Sequence, residues 1–212
     1  MATTEQSAAF GIREAAAGEA ETIALPAPAP EVHSLAHPAL TIILHWGSAA
    51  LIVVCAAVVL VRELIEHDGA RLALIGVHRQ LGLLVLVGAI LRMVRRLRSP
   101  LTDHAADMPM VARLAAKGAH ILLYAVLAAL PIVGWAQTNA HGLPVSLFGL
   151  IGLPNLVAED SDLADTLGDV HIYLAWGLLL LVALHAGAAL WHHLVRRDGV
   201  LRAMLPPRDR MR

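Results

Sequence analysis

The sequence predicts an all-α integral membrane protein, a four-helix bundle with both termini on the cytoplasmic side. Apolar residues make up 58% of the 212 and charged residues only 16%, and the apolar ones are gathered into long runs. Four of these runs reach the ~20 residues needed to cross a ~30 Å hydrocarbon core. Lys and Arg are distributed unevenly among the connections, which sets the orientation. A backbone in lipid must satisfy its own hydrogen bonds, so the spans are helices.

Residues 1–38 stand apart from the rest. They are rich in Ala and Glu, include the run PAPAPEV and show neither apolar periodicity nor a basic start before a hydrophobic core. A flexible N-terminal tail is expected there, not a signal peptide. The spans follow at roughly 39–61, 73–94, 114–138 and 170–194 within a membrane domain of 39–206, and residues 207–212 form a basic C-terminal tail. In the third span Pro131, followed by Gly134, predicts a kink near the outer end. There is no internal repeat. A single cysteine, Cys55, rules out both an internal disulfide and a Cys-x-x-Cys-His attachment for covalent haem.

Charge then orients the spans. The link between the second and third, with its flanks, holds Arg92, Arg95, Arg96, Arg98, Arg113 and Lys117, and the C-terminal tail holds Arg196, Arg197, Arg202, Arg208, Arg210 and Arg212. No Lys or Arg lies between Lys117 and Arg196, where the loop carries Glu159, Asp160, Asp162, Asp165 and Asp169. Positive charge stays inside, so the loops after the first and third spans face outward, into the periplasm of a bacterium. Twelve basic against four acidic residues give +8 on the cytoplasmic loop and C-terminal tail; three against eight give −5 outside; one against five gives −4 on the N-terminal tail. The expected location is the bacterial cytoplasmic (inner) membrane, with lipid as a partner and no nucleic acid.

Ionisable residues within spans are costly and mark functional sites. With the topology drawn, His45, about six residues into the first span, lies near the inner surface, and His78 in the second lies near the outer one. In the fourth span His171 is near the outer surface and His185 near the inner. The fourteen residues between them rise about 21 Å and turn about 1400°, roughly 40° short of four full turns. They therefore share one helix face at opposite depths, so that His78 can meet His171 outside and His45 can meet His185 inside. Two pairs of neutral imidazoles on facing helices match two bis-histidine haems, a wire across the membrane.

His120, near the inner end of the third span, competes with His45 for the inner position. Four residues after His45, His78, His171 and His185 come Ala49, Gly82, Ala175 and Ala189, which leave room beside a ligand, whereas Tyr124 follows His120. A histidine near a helix end is by itself more often an interfacial or hydrogen-bonded residue than a ligand. A metal centre of the membrane desaturase kind clusters histidines three or four apart on one surface, which the fourteen-residue spacing does not provide. His192 and His193 sit beside Arg196 and Arg197 at a polar helix end, in the headgroup layer or at a surface metal ion.

The motifs LHW around His45, HRQLG from His78, KGAHILLY through His120 and LHAGAALWHH from His185, followed by RDGVLRAML, resemble the bacterial cytochrome b561 family, and within it the superoxide oxidase type. The resemblance covers about residues 38–206. It implies two haem b groups, with His45 and His185 as one ligand pair and His78 and His171 as the other. It further implies that superoxide gives its electron to the outer haem and that ubiquinone is reduced near the inner one, a superoxide:ubiquinone oxidoreductase. His192, Lys117 and His120 fall where the family has its quinone site, and their proton-carrying groups suit quinone reduction. Arg71 and Arg79 stand where a cation pairs with a haem propionate, guides an anion inward or anchors a helix end at the interface. The −5 outer balance works against an anionic substrate. It suits the alternative of a non-catalytic relay between the quinone pool and a periplasmic redox protein. A haem-free transporter or structural bundle is the remaining alternative.

Overall fold

A computed structural model describes residues 38–98 and 109–205. The N-terminal tail up to residue 37, residues 99–108 and the basic tail from 206 onward lie outside the described residues. Four long apolar helices make up the fold: α1 (Ala39–Glu63), α2 (Asp68–Arg98), α3 (Met110–Ala140) and α4 (Ser161–Trp191). Each is long and apolar enough to span a membrane.

Every helix but α1 runs well past its predicted span. α2 starts with acidic Asp68 and ends on Arg95, Arg96 and Arg98, a charge order that complements its macrodipole. α4 begins nine residues before the apolar run, because the side chain of Asp160 accepts a hydrogen bond from the Leu163 amide at 3.0 Å and caps the helix. Pro131 is buried within α3, and the helix continues through it to Ala140.

Packing joins α1 to α2 and α3 to α4, with α2 against α3 connecting the two pairs. Ser48, buried and bonded to the Leu44 carbonyl at 2.7 Å, lies opposite Gly88, where an added Cβ would meet its Oγ at 3.5 Å. Small residues of this kind let membrane helices approach closely. At mid-depth Val85, Ala89, Leu127 and Leu178 form the apolar core, with Leu51, Ile52, Leu123, Val126, Leu130 and Val182 around it. Large apolar side chains such as Val53, Leu60, Ile121 and Leu180 point outward, as lipid-facing residues do.

One end of the bundle carries a short antiparallel hairpin, β1 (Ser146–Leu147) and β2 (Ile151–Gly152), with Ser146 opposite Gly152 and Leu147 opposite Ile151. Phe148, Gly149 and Leu150 connect the strands, with Phe148 and Gly149 in the left-handed region (φ 52° and 70°) and the Leu150 amide donating to the Leu147 carbonyl at 3.0 Å. Gln80 of α2 fixes the hairpin by donating to the Ser146 carbonyl at 3.0 Å and accepting from the Phe148 amide at 2.8 Å. Buried Asn139 organises the same loop, bonding Leu143, Asn155 and Leu156 at 2.9–3.2 Å.

α1 begins and α4 finishes at the opposite end, called here the termini end. There α4 passes into a π-helical turn, His192–Arg196, and Arg197 in the left-handed region (φ 53°) turns the chain back. The returning segment ends in a 3-10 turn at Arg202–Met204, and the Trp46 indole of α1 donates to the Met204 carbonyl at 2.8 Å.

Candidate cofactor site

At the hairpin end α2 supplies His78 and α4 supplies His171, with ring centroids 6.0 Å apart and planes at 79°. The His78 Nδ1 lies 3.3 Å from the Cys55 carbonyl oxygen and 3.2 Å from its sulfur. Donation from Nδ1–H to that carbonyl leaves the Nε2 lone pair for a metal, the usual outer-shell arrangement of a histidine ligand. His171 packs its ring on α3 at Gly134, where a Cβ would approach Cε1 to 2.9 Å and Nδ1 to 3.2 Å. Its Nδ1 is buried beside the Leu130 backbone of α3, its one hydrogen-bonding neighbour among the described residues, in less than ideal geometry.

At the termini end His185 is met from two sides. The His45 ring of α1 is 6.2 Å away, tilted by 58°, and the His120 ring of α3 is 5.4 Å away at 78°. His45, half-buried, stands edge-on to Trp46 at 5.5 Å. His120 is exposed, and its Nδ1 is 2.7 Å from the Ala116 carbonyl. Arg92 reaches over from α2, with Nη2 3.2 Å from Nδ1 of His45 and its guanidinium 5.3 Å above the Tyr124 ring. One turn on, Arg95 donates to the Thr41 hydroxyl at 3.0 Å.

Of the other residues singled out in the sequence, Arg71 and Arg79 are half-buried at the hairpin end of α2. Their side chains make no hydrogen bond or ion pair within 4 Å among the described residues. Lys117 is exposed one turn before His120. His192 pairs with Asp198, Nδ1 to Oδ2 at 2.5 Å.

These residues suit a bis-histidine haem at each end. Both ring pairs bridge to α4 from α1 or α2, helices whose backbones make few close approaches to α4. One turn after His78, a Cβ at Gly82 would meet no atom within 4 Å, which leaves room for a flat group beside the ring. With Nδ1 of His171 buried beside the Leu130 backbone, Nε2 is the nitrogen left for a metal, as at His78. Leu178, at 4% exposure, lies midway between His171 and His185 and keeps the two levels apart by apolar packing.

Four residues of this site carry no obvious mark in the sequence. Cys55 acts through its backbone carbonyl, which no residue type signals. Gly134 is legible as a helix irregularity but not as a seat for a ring. Arg92 is counted among the charges that orient the protein, yet it lies fourteen residues after His78, the same interval that separates His171 from His185, and that spacing could have found it. Asp198 enters the sequence reading only as part of the motif RDGVLRAML, with no role of its own.

An apolar four-helix bundle with facing histidines at two depths is the architecture of a membrane electron-transfer cytochrome of the b type. The chain belongs to the prokaryotic cytochrome b561 family, whose family model matches residues 36–207. It is 33% identical over 162 residues to cytochrome b561 homolog 2 of Escherichia coli K12, covering 76% of this chain and 86% of that protein. It is 37% identical over 131 residues to the probable superoxide oxidase CybB of Yersinia pestis, covering 61% and 73%. To cytochrome b561 homolog 1 of Escherichia coli K12 it is 29% identical over 168 residues, covering 79% and 95%. Haem b is thus the family's cofactor, and the protein is a multi-pass electron carrier of the bacterial inner membrane.

Proposed function

We propose that this chain is a di-haem superoxide:ubiquinone oxidoreductase, with His78 and His171 as one axial pair and His45 and His185 as the other. The observation that carries this reading is the meeting of two imidazole pairs, 6.0 and 6.2 Å between centroids, at opposite ends of one bundle. Both termini lie in the cytoplasm and the hairpin faces the periplasm, in keeping with the distribution of Arg and Lys. When bound, each haem would supply a one-electron iron couple whose potential depends on its histidine ligands and their surroundings.

The chain's own groups do the rest. His78 is held by the Cys55 carbonyl and His171 is seated on Gly134, so both rings present a fixed nitrogen at the periplasmic end. Arg71 and Arg79 supply positive charge there for superoxide, which leaves as dioxygen after giving up one electron. Two superoxides, one ubiquinone and two protons balance as two dioxygen molecules and one quinol. His192, Lys117 and His120 lie at the cytoplasmic end, where the quinone needs hydrogen-bond donors and protons. His45 serves as the ligand in preference to exposed His120, whose neighbour Tyr124 fills the space one turn away.

The test is rapid mixing of purified protein with superoxide, following the visible bands of reduced haem and then the appearance of quinol. Reduction of haem by superoxide within the mixing time, followed by reoxidation on adding ubiquinone, is the expected result. A protein that superoxide fails to reduce would leave the second reading, a relay between the quinone pool and a basic periplasmic protein. The acidic stretch that leads into α4 and forms its first turns, with Glu159, Asp160, Asp162, Asp165 and Asp169 and no Lys or Arg, favours that alternative.

A further inference from the structure

Along α4 and the first residue of the π-helical turn that continues it, His171, Leu178, His185 and His192 recur every seven positions. Seven residues turn about 700°, within about 20° of two full turns, so the four lie along one stripe. The first and third contribute to the two ring pairs and the second belongs to the core. His192 is thus the next group on that stripe beyond His185, with its side chain 18% exposed. Here the α-helix widens into the π-helical turn, and the left-handed Arg197 returns the chain toward His192. The backbone closes on itself through the Asp198 amide, which donates to the His192 carbonyl at 3.3 Å. Asp198 then sets one carboxylate oxygen 2.5 Å from Nδ1 of His192, while the other accepts from the Val200 amide at 3.2 Å. Trp46, one residue after His45, secures the same segment through Met204.

We propose that Asp198 is a positioning residue which makes His192 a proton donor for quinone at the termini end. It rests on the reading of that end as the quinone site. A carboxylate at Nδ1 fixes the hydrogen there and stabilises the imidazolium, so Nε2 carries the proton to be given away. Partial burial pushes the Asp198 carboxyl up. The hydrogen bonds from His192 and Val200 and the charges of His192 and Arg196 outweigh it and hold the group below its ordinary value of 3.8. Asp198 is therefore anionic at neutral pH. In the reaction, two electrons drawn singly from two superoxides reach the quinone, whose two carbonyl oxygens each form an O–H bond. One of these bonds forms as the Nε2–H bond of His192 breaks; His192 is then reprotonated from cytoplasmic water, which also supplies the second proton.

The substitution that isolates this role is Asp198→Asn. Asn can keep the bond from Val200 with its carbonyl oxygen, but then presents an NH2 group to Nδ1, which can no longer donate. The full-length haem-loaded protein, reduced chemically without oxygen, is mixed with a short-chain ubiquinone, and haem reoxidation is followed over a range of quinone concentrations. In D198N the limiting rate should fall about tenfold or more, part of the usual general-acid contribution. The concentration for half-maximal rate should change by less than about threefold, a split that a merely displaced binding site would not give. Asp198→Glu should recover most of the rate. His192→Ala should lose at least as much as D198N. A normal limiting rate in D198N alongside a slow H192A would overturn the dyad while leaving the quinone site in place. A normal rate in H192A would remove the quinone reading and this inference together. Equal loss in D198N and D198E with an altered reduced-haem spectrum would make Asp198 only a brace for the helix end.

Discussion

The Nη2 of Arg92 lies 3.2 Å from Nδ1 of His45, and this contact fixes which way the ring is protonated. A guanidinium has five donors and no acceptor, so Nδ1 accepts and the hydrogen of the neutral ring resides on Nε2. Ligation of iron through Nε2 requires a lone pair there. Were His45 to hold haem iron, the hydrogen would have to move to Nδ1 and Arg92 turn to another acceptor, its charge staying near the metal. A nearby cation favours the reduced iron, which carries one positive charge fewer. Replacing Arg92 with Leu is expected to lower the midpoint potential of the termini-end centre by on the order of 59 mV, a tenfold change for one electron. Spectroelectrochemical titration should show the other centre nearly unmoved; equal shifts in both would disprove a local effect.

The pairing itself is open to direct measurement. His78→Ala and His171→Ala are expected to cost the same centre, and His45→Ala and His185→Ala the other, each lowering the content from about two haems b per chain to about one. His120→Ala should keep both. Loss of low-spin ligation in H120A with its retention in H45A would reverse the assignment, because both rings stand within 6.2 Å of His185.

Gly134 offers a test from the opposite side of the ring. A methyl group there would sit 2.9 Å from Cε1 of His171, closer than real Cβ contacts allow, so either the ring or α3 must shift. Overpacking of this kind costs about 1–3 kcal/mol. Gly134→Ala should broaden or shift the bands of the hairpin-end centre and lower thermal stability, while the termini-end bands stay in place. Unchanged spectra and stability would mean that His171 does not rest on α3.

The parts of the fold that the sequence displays are those that lipid dictates. Each span is visible because some twenty apolar residues must be consecutive, and the histidine depths follow from helix rise once charge has set direction. The first turns of α4 escape this signal because Ser161–Asp169 mixes polar and apolar residues, and only the Asp160 cap marks the start. The hairpin is hidden for another reason. Its strands have two residues each, too short for alternation to register, and its turn sets Phe148 where glycine or asparagine is usual. In the site, residue types that bind metal stand out, whereas groups acting through a backbone carbonyl, a missing side chain or a shared helix face become apparent only in three dimensions.

That hairpin yields a prediction of its own. Gln80 makes two hydrogen bonds to it, and Phe148 holds a positive φ that costs a non-glycine residue about 1–3 kcal/mol. Gln80→Ala is expected to destabilise the protein by roughly 1–3 kcal/mol by leaving the Ser146 carbonyl and Phe148 amide unpaired. Phe148→Gly should partly offset this by relieving the strain. Thermal unfolding of Q80A, F148G and the double variant in detergent decides the matter. A Q80A protein as stable as the parent would show that the hairpin needs no support from α2.

The charges at the hairpin end decide between substrate and partner. Arg71 and Arg79 lie seven residues before and one after His78, and their side chains are half-buried without an ion-pair partner among the described residues. Of the acidic residues, Glu159 and Asp160 precede α4 and Asp162, Asp165 and Asp169 stand on its first turns, Asp169 two residues before His171, and their repulsion is screened over about 8 Å at physiological ionic strength. If superoxide enters beside the two arginines, attraction at short range outweighs that repulsion, and added salt weakens the steering of a small anion. Haem reduction by superoxide is therefore expected to slow as ionic strength rises, and Arg71→Glu to slow it further at low salt. A rate that climbs with salt would instead show net repulsion at the entrance. The acidic surface would then be better matched to a basic periplasmic protein, whose own electron transfer to the haem should fall as salt is added.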